Sequence, residues 1–441
     1  MINLDIAHAK ATIAWLAANN GAPDARIAAA AKAAGYSLAG AGSPRARIDI
    51  AAIDLRGAEE SAPIATALVS AARRLAPAAG IIIIASGDTA KERRETLRRH
   101  ADVCYLRSDA TPIIAAIRER LRLAALTDEV GDRIKSLVAD GRSISFAGLA
   151  AEPPRLSVLI AGRPSPLTLS ACNAVRHAAS QTTCVFSAGQ VMRALDHCRF
   201  DGAIFIPANE DDLLLALARA LRRHRDHRRL SVILAAEDED LLDRCAERDG
   251  FDFILADHIE PDLAQRLDLL SRRAALASAM RRFLRSADGC GGGKNGAANT
   301  RFFASHAVRA FRRADETGQP ISLISLSIAR RSAGGSETAL TNGLNEALRT
   351  ASRLVRAEDL IAKLSTHTLV FLLRGVREAE AQRIATRLEG VIAGTLLRSA
   401  LDIAEISAAA VERRAGDDLE TTVASLIRSL QGGRSDGRAA L

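Results

Sequence analysis

The chain has 441 residues, 48% of them hydrophobic and only 3% aromatic, with a formal net charge of +8 and a pI near 9.6. That length exceeds one ordinary domain and fits about three, and a composition rich in alanine and leucine but poor in aromatics excludes an aromatic-rich β-sandwich in favour of helices packed on sheets. The positive balance would suit a nucleic acid, but both signs of charge are spread along helical segments. The one dense run, Arg222 to Arg229, has no recognition-helix or zinc pattern beside it, so no nucleic-acid partner is expected.

Six cysteines, Cys104, Cys172, Cys184, Cys198, Cys245 and Cys290, are scattered without a C-x-x-C pair and read as small core residues of a reducing compartment, not as staples or metal ligands. The N-terminus has no basic segment followed by a long apolar one, and no run approaches the roughly 20 apolar residues of a spanning helix. A cytoplasmic protein with no membrane span is expected.

Residues 1–130 alternate short apolar runs with alanine-rich helical segments, and four consecutive isoleucines, Ile81 to Ile84, predict a central strand buried on both faces of a parallel sheet. The pattern resembles the receiver domain of two-component response regulators. That resemblance makes Asp54, at the end of the third strand, the phospho-acceptor candidate. It also shows what is missing: Ala18 and Asn19 stand where an acidic pair would hold magnesium, and Arg107 stands where a lysine belongs. The segment from Ser37 to Arg47 is also short for the usual second helix. Without carboxylates to hold the cation, phosphoryl transfer loses its main charge stabiliser, and Asp54 reads as a vestige or an edge residue more than as an efficient phospho-acceptor.

From Thr127 the pattern becomes polar, ending at Glu152-Pro153-Pro154, so residues 131–154 read as a linker. The strand and helix series then repeats over 155–286, a period of about 145 residues that indicates duplication. This second receiver-like domain has lost its chemistry, since Ala161, Gly162 and Arg163 follow its first strand and Ile206 occupies the acceptor position. The acids Glu237 to Asp240 read as a helix cap. Its last helix, from Asp262 to about Leu284, carries the stripe Leu263, Leu267, Leu270, Ala274, Ala277 and Leu284, which predicts packing on its own domain and a homodimer contact. Residues 287–296 are glycine-rich and read as a hinge; neither the strand nor the Gly-Lys-Ser/Thr of a phosphate loop accompanies them.

The third domain, 297–441, is organised around Arg356 to Leu373. Two apolar runs, Leu360 to Leu364 and Leu369 to Leu373, flank the polar turn Ser365-Thr366-His367-Thr368, which predicts a β-hairpin with Arg356 and Asp359 at its mouth. Arg-x-x-Asp occurs seven times in this chain, so the pattern alone is weak; only the copy at Arg356 precedes such a hairpin. The arrangement resembles the GGDEF domain of diguanylate cyclases, in which a Gly-Gly-Asp-Glu-Phe turn joins two core strands and an Arg-x-x-Asp product site lies five residues before it. Asn299-Thr-Arg301-Phe-Phe303 is similar to the segment that opens those domains.

Residues 365–369 have replaced the signature, and Ser327 stands where the first core strand would carry a magnesium-binding aspartate. The resemblance therefore implies a domain that kept its ligand site and lost its catalytic one. It makes cyclic di-GMP the regulatory ligand, held by Arg356 and Asp359, two charges placed on one helix face, with Arg387 from the following helix or its neighbour Arg383 adding a second cation. No catalytic residue and no metal are expected.

The whole reads as a multidomain α/β chain, with two receiver-like (flavodoxin-like) doubly wound parallel sheets followed by a degenerate GGDEF, nucleotidyl-cyclase-like α/β domain. The combination resembles alphaproteobacterial cell-cycle adaptors, which implies protein partners in a regulated proteolysis pathway and a place at the cell pole. An active diguanylate cyclase and a scaffold that binds no nucleotide are the competing readings.

Overall fold

A computed structural model of the chain describes residues 11–18, 21–40, 48–56, 62–77, 79–86, 96–97, 101–106, 111–142, 156–177, 181–223, 230–238, 240–241, 245, 252–285, 297–330, 337–398 and 403–438. The Arg107 position, Asn19, most of the basic run after Arg222 and the glycine-rich 287–296 lie outside them. The chain forms two compact units, residues 1–124 with 153–275 and residues 125–152 with 276–441.

The first unit holds two parallel sheets. One comprises β1 (Ala11–Ala17), β2 (Tyr36–Gly40), β3 (Ile50–Asp54), β4 (Gly80–Ser86) and β5 (Asp102–Leu106), in the order β2-β1-β3-β4-β5, with helices α1 (Ala25–Ala33), α2 (Ala62–Leu75) and the first half of α3 (Thr111–Ala139). Asp24 starts α1 by accepting from the Arg26 N–H at 2.8 Å. Ile82, Ile83 and Ile84 are fully buried, as their run predicts. Strand β2 has no apolar run to announce it; at the sheet edge its Tyr36 is buried in the core while Ser37 is exposed.

The second sheet repeats that order. It comprises β6 (Ser157–Gly162), β7 (Gln181–Val185), β8 (Gly202–Ile206), β9 (Ser231–Ala236) and β10 (Asp252–Leu255), arranged β10-β9-β8-β6-β7, with α4 (Pro166–His177), α5 (Ala188–His197), α6 (Leu213–Arg223) and α7 (Ile259–Arg285). Strand order 2-1-3-4-5, read twice, is the flavodoxin-like doubly wound topology. Leu263, Leu267 and Leu270 of α7 are buried in this sheet's own core, so the first half of the predicted stripe is occupied within the domain.

The second unit is built on an antiparallel sheet, β12-β13-β11-β14, from β11 (Ile321–Arg330), β12 (Leu360–Lys363), β13 (Thr368–Arg374) and β14 (Ile403–Glu412). Helices α8 (Thr300–Thr317), α9 (Glu337–Leu354), α10 (Glu378–Arg398) and α11 (Leu419–Arg438) cover it. Asn299 caps α8 through the Phe302 N–H at 2.8 Å, and Gly318 ends it in the left-handed region at φ 64°.

The polar stretch after Thr127 is not a linker as far as Ala139. It continues α3 as helix, and Glu129, Asp132, Arg133 and Ser136 are 0–4% exposed, with Leu137 in the core beside α8. Beyond the local Arg133–Glu129 pair, these charges read as solvent-facing in sequence because their other partners, Arg313, Asp359 and Arg374, lie more than 170 residues away.

Candidate functional site

The predicted hairpin forms. β12 pairs antiparallel with β13, Leu360 opposite Leu372 and Lys363 opposite Leu369, and the Leu364 N–H closes the turn on the Thr368 carbonyl at 3.0 Å. Ser327 on β11 pairs with Thr368, and Ser407 of β14 flanks it on the other side. The spot where the resemblance calls for acids is thus a cluster of hydroxyls. Hydroxyls are neutral at neutral pH and bind magnesium weakly beside carboxylates, the ligands this hard cation prefers. Among the described residues no group of three or more His, Cys, Asp or Glu could hold a metal ion.

Arg356 and Asp359 do not lie on a helix face. Helix α9 ends at Leu354, and the pair occupies the bend that leads into β12. The physical reason is the carboxylate itself, because Asp359 Oδ2 accepts from the Arg356 N–H at 2.8 Å and so satisfies a donor that continued helix would have used. Asp359 is 8% exposed, and its other oxygen, Oδ1, is buried without a hydrogen-bond partner. Burial pushes its carboxyl up to about 7 against the opposing pull of Arg356, with Glu358 adding to the rise. The guanidinium of Arg356 faces Glu380 of α10, Nη2 to Oε1 at 3.8 Å. Burial also raises the Glu380 carboxyl, while Arg356 and Arg383 act to lower it.

Arg387 reaches the same bend from α10, where its Nη2 donates to the Leu354 carbonyl at 3.2 Å and closes the C-terminus of α9. The structure therefore brings Arg356, Asp359 and Arg387 to one loop. Because Asp359 is buried, truncating Arg356 would remove the cation beside a buried carboxyl, so the pair is not a freely removable surface feature.

One contributor has no local signal in the sequence. Arg133 of α3 donates from Nη2 to the Asp359 carbonyl at 3.3 Å, while its Nε donates to Glu129 Oε1 at 2.6 Å. Glu129 also accepts from Arg374 of β13 at 2.7 Å, and the His306 Nε2 lies 3.2 Å from its Oε1. Burial alone would raise the Glu129 carboxyl; His306, Arg133 and Arg374 outweigh it and hold the group well below the usual carboxylate range. Asp132 pairs with Arg313 and Arg374, at 3.1 and 3.2 Å, and Asp128 pairs with Arg313. Three acids thus meet three arginines, and the network ends on the backbone of the bend that holds Arg356 and Asp359.

The acceptor candidate of the first domain is occupied. Asp54 is held by Arg56 through both carboxylate oxygens, Nε to Oδ1 at 2.9 Å and Nη2 to Oδ2 at 2.8 Å, and also takes the Arg56 N–H at 3.0 Å. A guanidinium two residues on fills the electrostatic role that a cation would have. In the second domain, Gly162 and Ile206 are register partners, and a Cβ at 162 would come 2.8 Å from the Ile206 Cβ. Close apolar packing thus occupies the place where the receiver resemblance calls for an acid. Of the acids at Glu237 to Asp240, Asp238 accepts from the Asp240 N–H at 2.9 Å, as a capping turn does.

The cysteines depart from expectation in one respect. Cys245 is buried, but Cys184 and Cys198 are exposed, and the sulfurs of Cys172 and Cys184 are 2.7 Å apart.

No protein-family model matches the chain, and no curated protein matches it. Solved structures similar to parts of it include the GGDEF domain of DgcB from Caulobacter crescentus in complex with c-di-GMP, at 15% identity over 32% of this chain and 88% of that one, TM-score 0.28. The active GGEEF domain of a diguanylate cyclase from Vibrio cholerae is similar at 17% identity, over 32% of this chain and 92% of that one, TM-score 0.27. A receiver domain of a histidine kinase from Syntrophus aciditrophicus is similar at 25% identity, over 26% of this chain and 89% of that one, TM-score 0.23.

Proposed function

We propose that this chain is a non-catalytic cyclic di-GMP effector, which binds the nucleotide through Arg356, Asp359 and Arg387 and alters its contacts with protein partners in response. One observation carries the reading. At the Arg-x-x-Asp bend a buried carboxylate oxygen, Asp359 Oδ1, is left without a partner beside the Arg356 guanidinium, whereas hydroxyls stand at the hairpin turn where cyclase chemistry needs acids. A guanine offers what such a bend lacks, since its N1–H and exocyclic amine can donate to the carboxylate while its acceptor edge or a phosphate takes the arginine.

The order receiver, receiver, GGDEF, with the receiver chemistry replaced by Arg56 in one domain and by Ile206 in the other, resembles PopA-like cell-cycle adaptors. That supports a role as an adaptor for ClpXP-dependent proteolysis of a cell-cycle regulator, with the cell pole as its site of action and a homodimer as its working form. The test is calorimetric titration of the full chain with cyclic di-GMP, run beside incubation with GTP and magnesium. Saturable binding without turnover is expected. Turnover above a buffer control would make the chain a cyclase, and absence of binding would make it a scaffold.

A further inference from the structure

We propose that Cys172 and Cys184 form a reversible oxidation site, a dithiol that peroxide converts into a disulfide tying helix α4 to the edge strand β7. The two sulfurs lie 2.7 Å apart, inside ordinary non-bonded contact and within about 0.7 Å of a covalent S–S distance. The elements bearing them are adjacent: β7 is the last strand of its sheet, bonded to β6 alone, and Cys184 pairs in register with Ile160, whose side chain belongs to the core that α4 covers.

The two thiols are unequal. Cys184 is exposed, so an oxidant can reach it, whereas Cys172, on α4, is half-buried. Burial, and then the hydrogen bond with Cys184, push the Cys172 thiol up to about 12, which marks it as the resolving partner and not the first to react. The step balances with one peroxide. The Cys184 sulfur attacks the O–O bond, forming a sulfenic acid and releasing one water. The Cys172 sulfur then displaces the second oxygen as water, so that an S–S bond replaces an S–O bond and two thiols become one disulfide. A thiol reductant reverses it by exchange. Of the other described cysteines, Cys245 is buried and Cys198 is exposed.

Peptide mapping of the full chain tests this. Trypsin cuts after Arg155, Arg176 and Arg193, while Arg163 is shielded by Pro164, so the bond would join peptide 156–176 to peptide 177–193. With one equivalent of hydrogen peroxide, two of the six thiols should be lost, the joined peptides should appear, and dithiothreitol should separate them. The native chain should form the link at least tenfold faster than the same chain in guanidinium, because the fold supplies the proximity. Cys184→Ser should keep Cys172 reduced, and Cys198→Ser should change nothing. Equal rates in native and denatured protein, or oxidation of Cys184 to sulfinic acid with no joined peptides, would overturn the proposal.

Discussion

The charge state of Asp359 should set the affinity for cyclic di-GMP, with a sign and size that follow from its burial. In the free chain the carboxyl titrates near 7, whereas a guanine that donates two hydrogen bonds needs it ionised. At pH 6 about nine-tenths of the carboxyl carries a proton, and at pH 8 about one-tenth does, by the ordinary titration relation. Binding at pH 6 must therefore release about nine-tenths of a proton, and the dissociation constant should be about tenfold weaker than at pH 8, roughly 1.4 kcal/mol.

The same shift has a stability sign. A carboxyl raised on folding favours the folded chain most below its unfolded value near 4 and loses that contribution as pH rises through about 7. Calorimetry at pH 6, 7 and 8, in two buffers of unlike ionisation heat, reads both the affinity and the proton count. Asp359→Asn should bind weakly and without pH dependence. Parent protein whose affinity stays within twofold from pH 6 to 8 would refute the reasoning.

Arg356→Ala should weaken binding by about tenfold to a few hundredfold, since it removes a charge-assisted contact contributing about 1.5–3 kcal/mol. It should also lower the urea midpoint, because its cation stands beside a buried carboxyl. Arg387→Ala should do less, and Arg99→Ala nothing; a parent-like Arg356→Ala in calorimetry sinks the assignment. Arg133→Met leaves Glu129 buried with one partner fewer, so we expect a loss of about 3–5 kcal/mol in the third domain, together with faster amide exchange at Asp359 and Leu360. Unchanged exchange there would show that the arginine does not steady the loop. Small phosphodonors should label Asp54 poorly because Arg56 holds both its oxygens, and stoichiometric labelling abolished by Asp54→Asn would contradict this. Light scattering at tens of micromolar, about where a weak dimer still shows, should give twice the chain mass; a monomer mass would count against self-association.

The hairpin was legible because Leu360 to Leu364 and Leu369 to Leu373 are apolar runs of strand length with a polar turn between them, a strictly local signal. The doubly wound sheets were legible for the same reason at Ile81 to Ile84. The bend at Arg356 was not, since Leu354 and Val355 continue the helical spacing and only the Asp359 carboxylate breaks it. Least legible was the inner half of α3. Glu129, Asp132 and Arg133 have the composition of a solvated face, and nothing nearby announces that Arg374 and His306 will enclose them. The Asp54–Arg56 clasp stood in plain view at a spacing of two, but only coordinates show both oxygens taken.

Helix α3 also bears on how the chain folds as it is made. Its inner half, Ala125–Ala139, belongs to a compact unit whose remaining parts begin at residue 276, so the second receiver-like domain is in effect inserted into the third. Glu129 emerges from the ribosome long before Arg374, the partner it needs. Between Ala139 and Arg374 lie 234 residues, on the order of 10–50 s of synthesis at typical rates. For that interval a helix segment built for burial, with its acids and Arg133 awaiting partners, must stay in water or in a chaperone's hold. Synthesis speed through the second domain is thus a variable of folding yield, and a gene fragment starting at residue 297 would encode a domain lacking part of its own core.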